Sequence, residues 1–195
     1  MIFRLIYTIN NTAASATQAF NVLPFVARFI FFAVFAIYFW SAALTKLGDG
    51  VSGFIHPSAG AYIQIFPKTM ESYGYDVSQL SIFHWAIVMM GTYAEFILPA
   101  MIIVGLMTRL AALGMLIFVG VQSLTDLYGH GLINDPKALG AWFDRSVDSI
   151  ILDQRVLWGF LLLYLFRYGA GTISVDGWIS ERVKELCPNL GDGEI

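Results

Sequence analysis

Three apolar segments, each long enough to cross a lipid bilayer, constrain this chain more than any other feature. A helix needs about 20 apolar residues to span the hydrocarbon core. The three segments cover residues 23–47, 80–106 and 109–129. A fourth, 149–169, reaches spanning length only if Asp153 and Arg155 lie at one rim, where long side chains reach the headgroups. We therefore predict an all-α fold: a four-transmembrane-helix bundle.

The composition agrees with a membrane protein and argues against several functions. Of the 195 residues, 57% are hydrophobic and 13% are charged, far from the mixture of a soluble domain. The net charge is −3 without a run of Lys or Arg, so we expect no nucleic-acid binding. Cys187 is the only cysteine, which excludes an internal disulfide and a thiolate metal cage. No GxSxG, Walker or HExxH motif supports a hydrolase or a nucleotide-driven pump.

The connections between the apolar segments set the topology. Only Met107 and Thr108 separate the second and third segments, so these two form a tight antiparallel hairpin. The other connections, 48–79 and 130–148, are long, and four spans place both of them on the same side of the membrane. Six Lys and Arg residues lie on the side of the termini, against five on the side of the long loops. This margin favours cytoplasmic termini and two long outer-side loops.

The rest of the chain flanks a single transmembrane domain of residues 23–170. Residues 1–22 form an N-terminal lead-in. In 171–187, apolar residues recur at helical spacing after Asp176, which predicts a C-terminal amphipathic helix lying along the inner membrane surface. Residues 188–195 are predicted to be a flexible tail.

A carboxylate lies inside the second apolar segment. Counted inward from Arg109, Glu95 lies roughly 20 Å deep at about 1.5 Å per residue. Pro99 cannot donate a hydrogen bond to the Glu95 carbonyl, which predicts a kink beside the acid. Lys46, at the end of the first segment, is the best candidate partner. Two interpretations stay open: an ion pair that only fixes helix packing, or a proton relay at a ligand site.

A polar stripe on the third segment leads toward the long loops. One helical face carries Thr108, Val119, Gln122, Asp126 and His130. On the second segment, His84 shares a face with Gly91 and Glu95. We expect an outward-facing pocket that collects Lys46, His84, Asp126 and His130 above Glu95. The alternative for Asp126 and His130 is a capped, hydrated helix end.

The histidines give only weak support for a metal site. Imidazole suits copper, zinc and iron, and His56, His84 and His130 are all predicted on the outer side. However, no HxxxH, HxH or HxxE pair occurs among them. A metal site is therefore the weaker alternative for this pocket.

Three sequence marks resemble the DoxX family of small four-helix membrane proteins. The first is an Arg early in helix one with a Lys at its end, Arg28 and Lys46. The second, E-x9-GLMTRLAAL from Glu95, is the most specific, and the third is GAGTISVD from Gly169. The resemblance runs from about Arg28 to Ile179. The enlarged connection between helices three and four is similar to that of a subgroup which accompanies metal-stress or peptide-modifying proteins.

This resemblance implies a redox-associated, quinone-interacting component of the bacterial inner membrane, because the family takes its name from subunits linked to thiosulfate:quinone oxidoreductase. By position, Lys46, Glu95 and Arg109 carry the family's characteristic charges. We expect Glu95 to exchange the proton while Lys46 holds its charge or bonds a quinone oxygen. The expected quinone contacts are Phe35, Phe39, Trp40, Trp85, His84, Arg109, Asp126 and His130.

The partners follow from the same hypothesis. No side chain here carries electrons alone, so a redox partner with its own cofactor is required in the membrane or on its outer side. The bundle also contacts lipid, and a homo-oligomer is compatible with the sequence. The alternative function is a non-enzymatic membrane anchor or assembly subunit, in which the charged residues only lock the helices together and the long loops dock a partner.

Overall fold

The computed structural model describes residues 22–186, which are helical apart from their connecting loops. No strand occurs in this range, where the β-type contact is an isolated antiparallel bridge between Leu47 and Pro57. The predicted lead-in at 1–22 lies outside the described residues except for Val22, as do Cys187 and the predicted tail at 188–195. The predicted all-α class is confirmed.

Eight α-helices occur within residues 22–186. In chain order they are α1 (Leu23–Lys46), α2 (Ala59–Ile65), α3 (Pro67–Ser72), α4 (Ile82–Val104), α5 (Thr108–Leu124), α6 (Pro136–Leu139), α7 (Val156–Tyr168) and α8 (Val175–Leu186). Two π-helical segments extend this set, since Thr125–Gly129 continues α5 and Ile150–Arg155 leads into α7. Short 3-10 turns lie at Val51–Phe54, Val77–Gln79 and Leu132–Asn134.

Three helices are long and apolar enough to cross a membrane: α1, α4, and α5 with its π-helical end. Their outward faces suit hydrocarbon, since the side chains of Ile37, Met90 and Ile117 are 78%, 68% and 61% exposed. A soluble monomer rarely leaves so much contiguous apolar surface uncovered. The chain is therefore a multi-pass membrane protein.

The fourth predicted span consists of two pieces, the π-helical segment Ile150–Arg155 and the 13-residue helix α7. Its first piece contacts the end of α5 through an ion pair between Arg155 and Asp126. The chain just after its last piece bonds Arg28, near the start of α1. The segment therefore runs from one end of the bundle to the other. That it crosses a membrane, and that the spans number four, remain predictions.

The hairpin between α4 and α5 defines one end of the bundle, which we call the hairpin end. Gly105 adopts a left-handed conformation (φ 73°) that glycine accepts without steric cost. The Asp176 carboxylate accepts hydrogen bonds from the backbone N–H groups of Met107 (2.7 Å) and Thr108 (2.9 Å) at the start of α5. The Asp176 N–H donates to the Gly105 carbonyl at 2.8 Å. The start of α8 is thereby fixed to the hairpin.

Arg28 completes the hairpin end from α1. Its buried guanidinium donates to four backbone carbonyls at 2.6–3.2 Å, those of Ile102, Ile103, Ala170 and Ile173. Carbonyls at the C-terminus of a helix have no partner within the helix, and Arg28 supplies one to the last turn of α4. One side chain therefore joins α1, α4 and the segment before α8.

The opposite end, which we call the loop end, carries the connections 48–81 and 130–149. The first connection folds back on α4, because Trp85 Nε1 donates to the Ile55 carbonyl (2.8 Å) and Tyr93 Oη to the Phe54 carbonyl (2.7 Å). A small apolar cluster with buried Met70 and Val88 fixes its helices to α4. The loop end is thus an ordered part of the fold that covers one end of α4.

Candidate functional site

The centre of the site is a buried ion pair between Lys46 and Glu95. The Lys46 Nζ lies 2.8 Å from Glu95 Oε2 and 3.0 Å from Oε1, and their side chains are only 8% and 3% exposed. The pairing expected from the sequence is therefore present. Lys46 Nζ also donates to the Ala42 carbonyl at 3.2 Å. The ammonium therefore has three protein acceptors within 3.2 Å, two of them on the same carboxylate.

Helix α4 holds Glu95 at this position through an interrupted backbone. Pro99 lies within α4 and has no N–H to offer the Glu95 carbonyl. Trp40 of α1 donates its Nε1 hydrogen to the neighbouring Phe96 carbonyl at 3.2 Å. Lys46 is the last residue of α1, so the side chain from the helix end reaches the middle of α4. Two contacts between α1 and α4 thus lie in the turn of α4 that precedes the proline.

A cavity of about 360 Å³ lies beside the ion pair, between α4 and α5, and we call it the α4–α5 cavity. Helix α4 contributes Ile87, Met90, Gly91, Ala94 and Glu95. The α5 side, with its π-helical end, contributes Gly114, Ile117, Phe118, Val121, Gln122, Thr125 and Asp126. The remaining lining residues are Lys46, Gln64, Ile65 and His130. Small residues on α4 leave the space that a larger side chain would occupy.

The mouth of the cavity lies on the lipid-facing side of the bundle. Met90, Ile117 and Val121 line it and are also among the exposed apolar residues, at 68%, 61% and 57%. In a membrane these side chains contact acyl chains. A ligand dissolved in the bilayer can therefore reach the ion pair by passing between α4 and α5.

The polar wall of the cavity continues along α5 toward the loop end. Because Leu98 of α4 lies against Gly114 of α5, residue counting in these antiparallel helices places Gln122 about one and a half helical turns beyond the level of Glu95 and Asp126 about two and a half. Asp126 Oδ2 accepts a hydrogen bond from Arg155 at 2.6 Å, and Arg155 also donates to Ser123 Oγ at 3.0 Å. At the outermost point, His130 Nε2 lies 3.1 Å from the Gln64 carbonyl.

Four of the ten predicted site residues line this cavity: Lys46, Glu95, Asp126 and His130. His84 was expected among them, but it caps α4 instead. Its Nδ1 accepts the Ser81 N–H at 3.2 Å, and its ring packs edge-on against Phe66. A histidine in the first turn of a helix can reach back to the free N–H of the capping residue, three positions earlier. Here that contact with Ser81 holds the ring at the start of α4, away from Glu95.

The aromatic residues predicted beside the quinone ring lie elsewhere. Phe39 is 2% exposed and packs in the bundle centre with Phe35, Phe118 and Trp158. The indole nitrogens of Trp40 and Trp85 bond backbone carbonyls of α4 and of the first connection, respectively. Of this aromatic cluster, Phe118 lines the α4–α5 cavity. Phe35 and Phe39 are four residues apart and share a side of α1, but this spacing does not show which neighbouring helix covers that side.

Arg109 also lies away from the cavity. It is exposed at the hairpin end and borders a shallow depression that includes Tyr168, Asp176 and Lys184. Its position at the start of α5 puts the length of the membrane-spanning helix between it and the loop end. Arg109 is therefore not placed to contact a ligand beside Glu95.

The structure adds two residues that the sequence did not single out as site residues. Arg155 was expected at a membrane rim but is buried against Asp126, and its Nε has no hydrogen-bond partner. Gln122 stood on the polar stripe of α5, and its Oε1 is buried in the cavity wall without a partner. The sequence did contain a signal for Arg155. Asp126 precedes the connection 130–148 and Arg155 follows it, so this connection can bring an acid and a base together.

Metal ligands do not cluster in the described part of the chain. Within residues 22–186, no group of three His, Cys, Asp or Glu side chains is arranged to hold an ion. His56 lies in the first connection, His84 caps α4 and His130 lies at the cavity's outer end. The three imidazoles therefore do not form one site.

The fold and this site define a class: helical, multi-pass membrane proteins with an ion pair and a lateral cavity inside the bundle. A protein-family model described as DoxX matches residues 25–125, a little over half of the chain. The chain therefore belongs to the DoxX family, as its sequence marks indicated. Searches of curated proteins and of solved structures found no match.

Proposed function

We propose that this protein is a quinone-interacting subunit of a membrane redox system and that the α4–α5 cavity holds the quinone ring. One observation carries the proposal: a buried Lys46–Glu95 pair lies in the wall of a cavity whose mouth faces lipid. A carboxylate in such a position can exchange protons with a lipid-soluble ligand. DoxX membership agrees with this proposal, because the family is linked to membrane redox functions that involve quinones.

The cavity fits a quinone ring in size and lining. Its volume of about 360 Å³ lies at the lower end of the range for small-molecule sites. Ile87, Ile117 and Phe118 supply apolar contacts to the faces of a ring, while Gly91 and Ala94 leave room beside α4. The isoprenoid tail of a quinone would leave through the mouth into the bilayer.

The charged residues have separate roles in this proposal. When bound, a quinone supplies two-electron, two-proton chemistry. Glu95 holds or accepts a proton at its carboxylate oxygens, and Lys46 stabilises the ionised carboxylate. The three protein acceptors around Lys46 Nζ favour this role over a direct bond to a quinone oxygen. Because no side chain of the cavity carries electrons, a partner with its own cofactor completes the system.

The direct test is the quinone content of the protein purified gently from membranes, compared with Glu95→Gln. This variant keeps the size of the side chain but removes its negative charge. We expect near-stoichiometric quinone in the native protein and at least about tenfold less in the variant, because a bond from a charged group contributes about 1.5–3 kcal/mol. Glu71→Gln, the same change on the exposed surface of α3, is the matched control and should retain the quinone.

Two results would contradict the proposal. The first is equal quinone content, or none, in the native protein and in Glu95→Gln. The second is a fall in bound quinone that only parallels the loss of folded Glu95→Gln protein from the membrane, because Glu95 would then be required for folding rather than for a ligand.

A second candidate function is a membrane anchor or assembly subunit without chemistry of its own. The connection 130–149 favours it, because Trp142, Phe143 and Val147 are 61%, 104% and 82% exposed there. Phe143 also has a positive φ of 64°, which non-glycine residues seldom adopt. Such a loop suits contact with a partner protein, and Glu95→Gln would leave that assembly intact. We place this loop end on the outer side of a bacterial inner membrane.

A further inference from the structure

The polar wall of the α4–α5 cavity presents free hydrogen-bond acceptors near the ion pair. The Lys46 ammonium lies in this wall, but its N–H groups are engaged by the Ala42 carbonyl and by both oxygens of Glu95. These protein acceptors compete with any ligand for its hydrogens. The Glu95 oxygens keep free lone pairs, because each carboxylate oxygen can accept about two hydrogen bonds.

Gln122 and Asp126 add acceptors to the same wall. The Gln122 Nε2 donates to Tyr38 Oη at 3.2 Å, which directs Nε2 toward α1 and leaves the buried Oε1 without a partner. Asp126 bonds Arg155 through Oδ2. Besides the Lys46 ammonium and the second N–H of Gln122 Nε2, the side-chain donors of the lining are the Thr125 hydroxyl and the Gln64 amide, which lie toward the loop end near His130.

This distribution discriminates between the two redox forms of a quinone. The oxidised form presents carbonyl oxygens, which only accept hydrogen bonds, whereas the reduced hydroquinone presents two O–H donors. A buried acceptor that faces another acceptor stays unpaired, which costs free energy. A site that is built to hydrogen-bond a hydroxyl group strongly rejects analogues that lack this group.

Resting on the function proposed above, we infer that the cavity selects the reduced hydroquinone, with Gln122 as the residue that determines this specificity. The hydroquinone donates one O–H to Gln122 Oε1, and Glu95 provides the acceptor about one and a half turns deeper. The apolar residues of the mouth contact both redox forms equally. The preference therefore depends on the polar wall, whereas general binding depends on the apolar lining.

The test measures the affinity of the full chain in lipid nanodiscs for a decyl-substituted benzoquinone and for its hydroquinone, under anaerobic conditions. Empty nanodiscs correct for partition into lipid. We expect the hydroquinone to bind at least about tenfold more tightly than the quinone. Gln122→Leu should remove most of this difference by weakening hydroquinone binding while changing quinone affinity less than about twofold. Gln122→Glu keeps an acceptor and should retain the preference.

Matched controls and the alternative outcomes separate this inference from the proposed function. Gln154→Leu makes the same change at an exposed residue outside the cavity and should bind both forms as the native protein does. If both forms bind the native protein equally, or Gln122→Leu weakens both alike, the inference is overturned while the proposed function stands. If neither form binds the native protein above empty nanodiscs, both are overturned.

Discussion

Glu95 and Lys46 illustrate how a membrane bundle can keep two charges in its interior. Each charge alone would cost several kcal/mol in a low-dielectric environment. Their attraction offsets this cost only because the geometry is good, with both carboxylate oxygens within 3.0 Å of Nζ. A buried pair of this kind is weak evidence for stability, since apolar residues of similar volume often pack as well. The position of the pair beside a cavity is what distinguishes it from a purely structural contact.

The pair should behave as one energetic unit. Lys46→Met leaves a carboxylate without its partner and Glu95→Gln leaves an ammonium without its partner, so we expect each to destabilise the protein by about 2–4 kcal/mol. The double variant should be less destabilised than the two single variants added together, by at least about 1 kcal/mol. Denaturation of the four proteins in one detergent measures this coupling. Strict additivity would contradict an ion pair in the membrane-embedded state.

Within about two turns, helix α4 carries two small residues, a buried charge and a proline that removes one backbone hydrogen bond. Gly91 and Ala94 open space on the side of α5, and Pro99 interrupts the hydrogen-bond ladder below Glu95. A Cβ at Gly114 of α5 would lie 3.1 Å from the Leu98 side chain, so glycine lets the two helices approach closely on the hairpin side of the cavity. The cavity extends from this close contact toward the loop end, as far as His130. The cavity follows from this arrangement of small and large residues.

Filling this space should displace a ligand without touching the ion pair. Ala94→Phe adds a ring inside the cavity, and we expect it to lower the bound quinone at least about tenfold because small-molecule affinity depends on the apolar lining. Ala33→Phe is the matched control, since Ala33 is exposed on the lipid-facing side of α1. Quinone extracted from both purified variants gives the comparison. Undiminished quinone in Ala94→Phe would place the ligand elsewhere on the protein.

The family marks that meet at the hairpin end have a structural role. Arg28, the GLMTRL turn and the GAGTISVD segment meet there, because Arg28 bonds the carbonyls around them and Asp176 caps α5. These residues tie together three elements that are distant in sequence. Glu95 and Lys46 have no such role in closing a turn or a helix end. The division separates residues that maintain the DoxX fold from residues available for chemistry.

For the molecule as a whole, the sequence predicts features that depend on one helix at a time. Segment length and hydropathy predict α1, α4, α5 and their hairpin, and the depth of Glu95 predicts its need for a cation. Contacts between helices depend on rotation and tilt, which periodicity does not specify. That is why Phe39 and Trp40 were expected beside the ring, and why the burial of Arg155 against Asp126 was not foreseen. The free oxygen of Gln122 depends on Tyr38, a contact between residues 84 positions apart.

The topology of the whole chain can be tested through single cysteines in a Cys187→Ser background. Phe143 is fully exposed at the loop end, and Ser180 is exposed on α8, which Asp176 fixes to the hairpin end. Because the segment 150–168 runs between these two ends, four spans place them on opposite sides of the membrane. We expect a membrane-impermeant maleimide to label Phe143→Cys in intact spheroplasts, and to label Ser180→Cys only after permeabilisation. Labelling of Ser180→Cys from the outside would contradict this topology. Either the segment before α8 does not cross the membrane, or the whole chain is inserted the other way round. Phe143→Cys separates these two explanations, because it is protected from the maleimide only in the second.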